Sequence, residues 1–386
     1  MVEASIAAQG SQLVVTADST VRFHAIWLRD NARDESTRST VNGQRLISVL
    51  EIDRQIRISE ATICQPADKC VDDREIHLTF QPENKTIAYS VSWLFDHAYD
   101  QPQNHYPGWT PPMYKLWGNE LGRNLPAAEF DDIRNNPLAL KDWLQQIVRY
   151  GFARLLGGPV EHQALFKVVE LFGYVRETNY GRLFEVRTEV NPVNLAYTSL
   201  GLQAHTDNPY RDPVPTVQVL YCLESSAQGG ENMLVDGFAV VDKLRHENSE
   251  WFDVLSRYCV RFEYSGSDGV MLRARKPIIE LAPDGELIAV RFNNRSAAAI
   301  TDVPFEKMEL FYTAYRRMAE IIEDETMEVM FRLSPGDCFV VDNTRVLHAR
   351  KGYSGNGTRW LQGCYADKDA LFSKLSSLET QLEAVK

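Results

Sequence analysis

No two cysteines in this 386-residue chain stand at CxxC spacing; the six (Cys64, Cys70, Cys222, Cys259, Cys338 and Cys364) are scattered singly. That excludes a zinc ribbon or a thioredoxin-type pair, and a chain of this size has no need of a disulfide scaffold. Reduced thiols in a cytoplasm are the expectation. Positive charge is also scarce: 41 Lys and Arg against 53 Asp and Glu leave a net charge of −12, with no long basic run. Nucleic acid and anionic membrane surfaces both require a cationic face, so neither is an expected partner. No apolar stretch approaches the roughly 20 residues of a membrane-spanning helix, and the opening "MVEASIAAQG" has no secretory h-region. Internal repeats and low-complexity tracts are missing too. What is present is 44% apolar residues, ample for a buried core in a globular chain.

The clearest break in pattern is "YDQPQNHYPGWTPPMYKLWGNE", residues 99–120, rich in Pro, Gly and aromatics. Before it, "SQLVVTA", "VRFHAIWL", "EIHLTF" and "TIAYSVSWL" are short β-type runs, so residues 1–100 are predicted to form a small β-rich domain. Residues 101–125 are predicted to be an ordered linker, and 126–386 the main domain. There "PLALKDWLQQIVRYG" carries Leu138, Trp143, Ile147 and Val148 at helical spacing. Short strands follow: "FARLLGG", "PTVQVLYCLE", "NMLVDG", a hairpin over Pro283-Asp284-Gly285, "DCFVVDN" and "RWLQGCYAD". Strands this short and numerous predict a sandwich or jelly roll. One long helix interrupts them, starting after Asp302 with Pro304 in its first turn and the stripe Met308, Phe311, Tyr315, Met318, Ile322. In the tail, Leu371, Leu375, Leu378 and Leu382 share a face that could dock on the chain's own body or on a dimer partner.

Of eight histidines, only His205 has a carboxylate two residues on, in "GLQAHTDNPYRDP". Residues i and i+2 of an extended segment point the same way, so His205 and Asp207 can reach one ion. Roughly 140 residues further on, "SPGDCFVVDNTRVLHAR" runs from a turn through an apolar strand to His348, and Arg359 follows eleven residues later. Two imidazoles and one carboxylate on one face of an ion leave three positions open, the facial arrangement of non-haem Fe(II) oxygenases. An isolated H-x-D carries little weight. Its order with a distant His and then an Arg carries much more.

From "WLRDN" (27–31) to "YADKD" (365–369) the chain resembles the γ-butyrobetaine hydroxylase family of Fe(II)/2-oxoglutarate dioxygenases, with "HTD", "GGENMLVDGF", "FNN", "VLHAR" and "GCYAD" as its marks. The resemblance implies a double-stranded β-helix (jelly roll) catalytic domain behind a small N-terminal domain, commonly as a homodimer. It implies that His205, Asp207 and His348 hold Fe(II), with 2-oxoglutarate and O2 as cosubstrates. Arg359 would grip the distal carboxylate of 2-oxoglutarate, helped by Asn232, which stands where relatives use Ser or Thr. Many relatives also carry a structural zinc site after "WLRDN". Here Ala32, Asp34 and Thr37 stand at the cysteine positions and Ser90 at the histidine position, so no structural zinc is expected.

The family's substrates carry a trimethylammonium head, which donates no hydrogen bond and is recognised by aromatic faces. The matching positions are Tyr180, Phe184, Tyr197 and Tyr365, all aromatic. At the other end of the substrate the matching asparagines are Asn194 and Asn294. Asn208 after "HTD" and Arg295 after "FNN" add two donors, one permanently cationic, and Tyr210 lies nearby. Such donors suit a phosphonate better than a carboxylate. The pattern "HTDNPY" with "NNR" resembles the branch that hydroxylates 2-(trimethylammonio)ethylphosphonate. Three rivals differ in testable ways: a γ-butyrobetaine dioxygenase making carnitine, a redox-inactive quaternary-ammonium-binding protein, and a zinc hydrolase. The binder needs neither the triad nor Arg359, and the hydrolase lacks a general base near the triad.

Overall fold

A computed structural model describes residues 2–64, 74–100, 105–187, 201–267, 269–354 and 357–383. The chain divides into two units, Met1–Asn104 and His105–Lys386. In the first, strands β1 (Glu3–Ala7), β2 (Gln12–Thr16) and β3 (Thr20–His24) form one antiparallel meander. Strands β4 (Arg57–Cys64), β5 (Glu75–Gln81) and β6 (Lys85–Ser90) form another. Every second residue is buried in β2 (Leu13, Val15) and β5 (Ile76, Leu78, Phe80), the period of half-buried strands. Helices α1 (Ala25–Asp30) and α2 (Val91–Asp96) add Leu28 and Leu94 to that core.

At the positions where relatives carry zinc-binding cysteines, Ala32 is part of this core. Thr37 is buried, accepts from Arg29 Nη1 at 3.0 Å and donates to Asp34 Oδ1 at 2.7 Å. Asp34 pairs with Lys85 at 2.7 Å, and Arg29 with Glu83 at 2.7 Å. Burial would raise the Asp34 pKa, but hydrogen bonds from Lys85, Thr37 and Ser36 hold it well below the carboxylate range. Ser90 caps α2, accepting from the Trp93 amide at 3.3 Å.

Residues 105–125, expected to be a linker, fold into the second unit. Trp117 is buried in its core and donates Nε1–H to the Tyr150 carbonyl at 2.7 Å. The unit then runs through β7 (Ala127–Glu129), α3 (Phe130–Asn135), α4 (Pro137–Tyr150), β8 (Phe152–Leu156), α5 (Ala164–Val169), β9 (Phe184–Val186) and β10 (Leu202–His205). Next come β11 (Val217–Ser225), β12 (Gln228–Gly229), β13 (Asn232–Asp236), α6 (Gly237–Glu247), α7 (Ser249–Arg257), β14 (Cys259–Ser267) and β15 (Val270–Pro277). The rest are β16 (Ile279–Leu281), β17 (Leu287–Val290), α8 (Met308–Ile322), β18 (Glu328–Phe331), β19 (Cys338–Asp342), β20 (Val346–Arg350), β21 (Tyr353–Ser354), β22 (Arg359–Ala366) and α9 (Lys368–Glu383).

Sequence cues set the helix ends. Asn136 caps α4, accepting from the Leu138 amide at 3.0 Å, with Pro137 in the first turn. Gly151 ends it in the left-handed region, donating to the Ile147 carbonyl at 2.8 Å. The buried face of α4 is Leu140, Trp143, Leu144 and Ile147, while Leu138, expected on the stripe, is exposed. Helix α8 begins at Met308 after a short 3-10 turn, Phe305–Lys307, and buries Phe311, Met318 and Ile322 as its stripe predicts. The leucines of α9 dock on the chain's own body, with Leu371, Leu375 and Leu378 in the core that holds α4.

Two sheets make a sandwich, the jelly roll expected. One is six-stranded, in the order β7-β8-β19-β11-β22-β9; the other is four-stranded, β10-β20-β13-β18. All pairings are antiparallel except β7 with β8. The inner faces meet through Phe152, Leu220, Phe339 and Leu361 from one sheet and Leu234, Val329 and Val346 from the other. The outer face of the larger sheet (Val217, Val219, Val340, Cys364, Ala366) packs on α4, α5 and α9. The outer face of the smaller (Met233, Val235, Leu347, Ala349) packs under α6, α7 and α8. With both faces covered, the period-2 rule sorts side chains by layer. Odd residues of β11 turn outward and even residues, Gln218 among them, turn inward. On β20 the inward positions are Val346, His348 and Arg350.

Candidate metal centre and the cavity beside it

His205 and His348 are direct cross-strand partners in the β10–β20 ladder, with ring centroids 4.4 Å apart. Asp207 follows β10 on a segment pinned from both sides. The Thr206 amide donates to the Phe292 carbonyl at 2.9 Å, and Asn293 Nδ2 to the Thr206 carbonyl at 3.0 Å. Asn343, itself buried, accepts from the Asp207 amide at 2.7 Å and donates Nδ2–H to the Asp207 carbonyl at 3.0 Å. The result is convergence. Asp207 Oδ1 lies 3.3 Å from His205 Nε2 and 3.8 Å from His348 Nε2. One donor atom from each residue falls within 4.8 Å of the others, and this is the group of metal-ligating side chains found among the described residues.

Electrostatics suit a divalent cation. His205 Nδ1 sits 2.8 Å from the Gln203 carbonyl, which assigns a proton to Nδ1 and makes Nε2 the nitrogen that faces Asp207. Burial, with neighbouring His205, pushes His348 down to about 3, so its imidazole is neutral at physiological pH. Burial would raise the Asp207 carboxyl, yet His348, His205 and Arg295 around it hold it well below its usual range. Two imidazoles and one carboxylate fit Fe(II) in the facial mode. The second oxygen of Asp207 is turned away from the imidazoles: Oδ2 accepts from Gln218 Nε2 at 2.7 Å and from the Tyr365 hydroxyl at 2.8 Å. Burial and the Asp207 charge keep that phenol protonated.

The triad opens into a cavity of about 520 Å³, within the range of small-molecule sites. Its walls include Tyr180, Phe184, Tyr210 and Tyr365, and also Tyr264 from β14. Phe184 and Tyr365 lie 5.1 Å apart, ring to ring, and Tyr264 stacks on Tyr210 at 5.0 Å and meets Tyr180 edge-on at 5.8 Å. A hydroxyl chain links Tyr180 to Tyr210 (2.9 Å) and Tyr210 to Asn208 Oδ1 (2.5 Å). Asn208 is buried in the left-handed region (φ 53°), where its Nδ2 has no hydrogen-bond partner among the described residues. Buried Arg359 donates to Asn232 Oδ1 at 3.0 Å, and both line the cavity. Arg295 is exposed at the rim but also lines it. Asn294 does not. It stands on the 3-10 turn Asn294–Ser296, which breaks strand alternation, and its amide meets Gln203 (3.4 Å) and Tyr315 (2.6 Å) instead. Its neighbour Asn293 is the asparagine facing the cavity. Asn194 and Tyr197 lie outside the described residues.

Sequence reading did not single out Gln218, Asn343, Tyr264 or Arg350. Gln218 had a signal, being the one amide inside the apolar run "VQVLYCL". Arg350 had another: it stands two residues from His348 on a strand, the relation that pairs His205 with Asp207, and it lines the same cavity.

A jelly roll whose inner face presents two imidazoles and a carboxylate beside a small-molecule cavity defines the class of non-haem metal oxygenases. Comparison with known proteins makes this specific. Residues 114–365 match the family described as Taurine catabolism dioxygenase TauD, TfdA family, and the chain belongs to that family of dioxygenases. It is 31% identical to the gamma-butyrobetaine dioxygenase of Pseudomonas sp. (strain AK-1), across 97% of this chain and 96% of that one. Identity with the gamma-butyrobetaine dioxygenase of Homo sapiens is 29%, over 94% and 92%. With the mitochondrial trimethyllysine dioxygenase of Bos taurus it is also 29%, over 95% and 85%. No helix among the described residues is long and apolar enough to cross a membrane.

Proposed function

We propose that this dioxygenase hydroxylates a small molecule with a trimethylammonium head and an anionic tail, at the expense of 2-oxoglutarate. The substrate we assign is 2-(trimethylammonio)ethylphosphonate, hydroxylated at the carbon next to phosphorus. The products would be (1-hydroxy-2-(trimethylammonio)ethyl)phosphonate, succinate and CO2, a step in organophosphonate catabolism. One observation carries the reading: the His-Asp-His triad opens into a cavity with aromatic walls and cationic or amide donors at its edges. The named relatives act on γ-butyrobetaine and trimethyllysine, both of which bear a trimethylammonium group.

His205, Asp207 and His348 would hold Fe(II), which supplies, with 2-oxoglutarate and O2, the oxidising power that converts C–H to C–OH. Arg359, steadied by Asn232, would take the distal carboxylate of 2-oxoglutarate in a charge-assisted pair. Tyr180, Phe184 and Tyr365 would offer ring faces to the trimethylammonium head. Asn208 and Arg295, with Tyr210 beside Asn208, would hold the anion. The two ends together fix which carbon faces the metal, and this orientation replaces acid–base groups as the source of selectivity. A cytoplasmic homodimer belongs to this proposal, and the α9 stripe is used within the chain. Light scattering on the purified chain tests that.

A second reading keeps the chemistry and takes γ-butyrobetaine to carnitine, favoured by the 31% identity to a protein of that activity. An aerobic competition between the two substrates, with Fe(II), ascorbate and 2-oxoglutarate and product detection by mass, separates them. Arg295→Ala should depress phosphonate turnover at least tenfold more than turnover of the carboxylate, since it removes one charge-assisted contact of about 1.5–3 kcal/mol. Equal losses on both substrates refute the phosphonate assignment. Product formation without O2 refutes the oxygenase reading altogether.

A further inference from the structure

Gln218 and Tyr365 both hydrogen-bond one atom of the triad, Asp207 Oδ2, and they reach it from adjacent strands of the larger sheet. Their meeting is built into the fold. In the β11–β22 ladder, Gln218 and Tyr365 are direct register partners, and both point into the cavity. The amide and the phenol therefore stand side by side with their donors on one oxygen. Asn343 fixes the backbone of Asp207 independently, through both its amide and its carbonyl. With Oδ2 held by two donors, only Oδ1 turns toward His205 and His348.

We infer that Gln218 and Tyr365 are positioning residues that hold Asp207 as a one-oxygen ligand. The inference rests on the iron reading above. Its physical content is a count of positions. A facial triad leaves three open positions on an octahedral ion. Those positions would be needed by 2-oxoglutarate and O2. A carboxylate that held the ion through both oxygens would leave one fewer for them. Two donors on Oδ2 oppose this, because each would have to be given up and left buried without an acceptor. The role is separate from the cage: the ring of Tyr365 faces Phe184 and the cavity while its hydroxyl faces the ligand.

The test uses the full-length protein with Co(II) as an oxygen-stable probe of the iron site. Tyr365→Phe keeps the ring and removes the hydroxyl; Gln218→Met keeps the volume and removes the amide. Outer hydrogen-bond partners of metal ligands are worth roughly 10–100-fold in affinity. Each single variant should thus bind Co(II) about tenfold more weakly and the double variant about a hundredfold, with an altered visible absorption envelope. In Tyr365→Phe, KM for the trimethylammonium substrate should stay within about twofold, because the cation–π surface is intact. Unfolding curves confirm that the variants fold, and Phe184→Leu serves as a variant that should move KM and leave Co(II) binding alone. Variants that bind Co(II) as tightly as the wild type with an unchanged spectrum overturn the inference, as does a change in KM alone. Wild-type protein that takes up no Co(II) overturns the iron reading as well, so the two failures are distinguishable.

Discussion

Two buried guanidiniums line the cavity, Arg359 and Arg350, and they make unequal candidates for the 2-oxoacid clamp. Arg359 shares a hydrogen bond with Asn232, so a carboxylate docking there meets a guanidinium already held in place. Replacing Arg359 by Met removes two charge-assisted hydrogen bonds of about 1.5–3 kcal/mol each, so about 3–6 kcal/mol of binding. At 1.4 kcal/mol per tenfold this is roughly a 150- to 20,000-fold rise in Kd for 2-oxoglutarate. Arg359→Lys keeps the charge and loses the fork, and should fall between, roughly 10–30-fold weaker. Arg350→Met should weaken binding less than about tenfold. The assay is anaerobic calorimetry of 2-oxoglutarate binding to Mn(II)-loaded protein, which reads affinity without turnover. A thermal melt of the ligand-free variants checks folding, since Asn232 loses its donor. If Arg359→Met binds within threefold of wild type while Arg350→Met loses a hundredfold, the clamp is Arg350 and the assignment from motif spacing is wrong.

Other consequences can be checked more simply. Asp34 has its folded pKa held below the unfolded value of about 3.9. Its stabilising contribution is therefore present above about pH 4 and lost as pH falls further. Asp34→Asn should lower hydrogen-exchange protection of β4–β6 at pH 5 and shrink the additional loss seen at pH 3; an undiminished acid response removes Asp34 from the account. Metal analysis of the purified protein should find no tightly bound zinc in residues 1–104, and a full equivalent that survives mutation of His205 contradicts that. A Cβ on Gly363 would collide with the Phe184 ring, which must then move. Gly363→Ala should raise KM for the cationic substrate by about 1–2 kcal/mol, roughly five- to thirtyfold, with metal uptake unchanged; an unchanged KM takes Phe184 out of the cage.

Some of this architecture is legible in residue order and some is not, for identifiable reasons. His205 and Asp207 are legible because i and i+2 on an extended segment share a side; His348, read as following the apolar strand, lies at the middle of the next one, β20. Helices α4, α8 and α9 are legible from their periodic stripes, whereas α3, α5, α6 and α7 are not foreseen; the exact face of α4 is set by what covers it, so Leu138 ends up in solvent. The inner strands hide their alternation: with both sheet faces buried, "VQVLYCL" is nearly all apolar, and only Gln218 betrays which side faces the cavity. The family resemblance points to Asn294, but residues Asn294–Ser296 form a 3-10 turn and it is Asn293 that lines the cavity. Tyr264 had no local signal at all. It reaches the cavity from the β14–β15 hairpin, and nothing in its neighbourhood in sequence says where that hairpin folds. The same limit applies to the Arg29–Thr37–Asp34–Lys85 network, which joins α1 to β6 across about fifty residues of sequence.

Register is what joins stability to chemistry in this fold. His205 faces His348 in one ladder, Asn232 faces Arg350 in a second, and Gln218 faces Tyr365 in a third. In a strand, a slip of one residue sends every side chain to the opposite layer. It would carry Gln218 out among the helices and bring Val217 or Val219 onto Asp207. What forbids the slip is the outer layer, where Val217, Val219, Cys364 and Ala366 are buried against α4, α5 and α9. Each such side chain is worth about 1–3 kcal/mol of burial, and a slip exposes polar groups to that layer as well. The helix-facing residues touch neither metal nor substrate, yet they hold the pairing that aims the inner ones. A substitution in the outer core that leaves the chain folded but loosens β11 against β22 should therefore weaken the hold on Asp207 before it disturbs the aromatic cage, because two strands must agree on that oxygen while the cage walls are drawn from several separate segments.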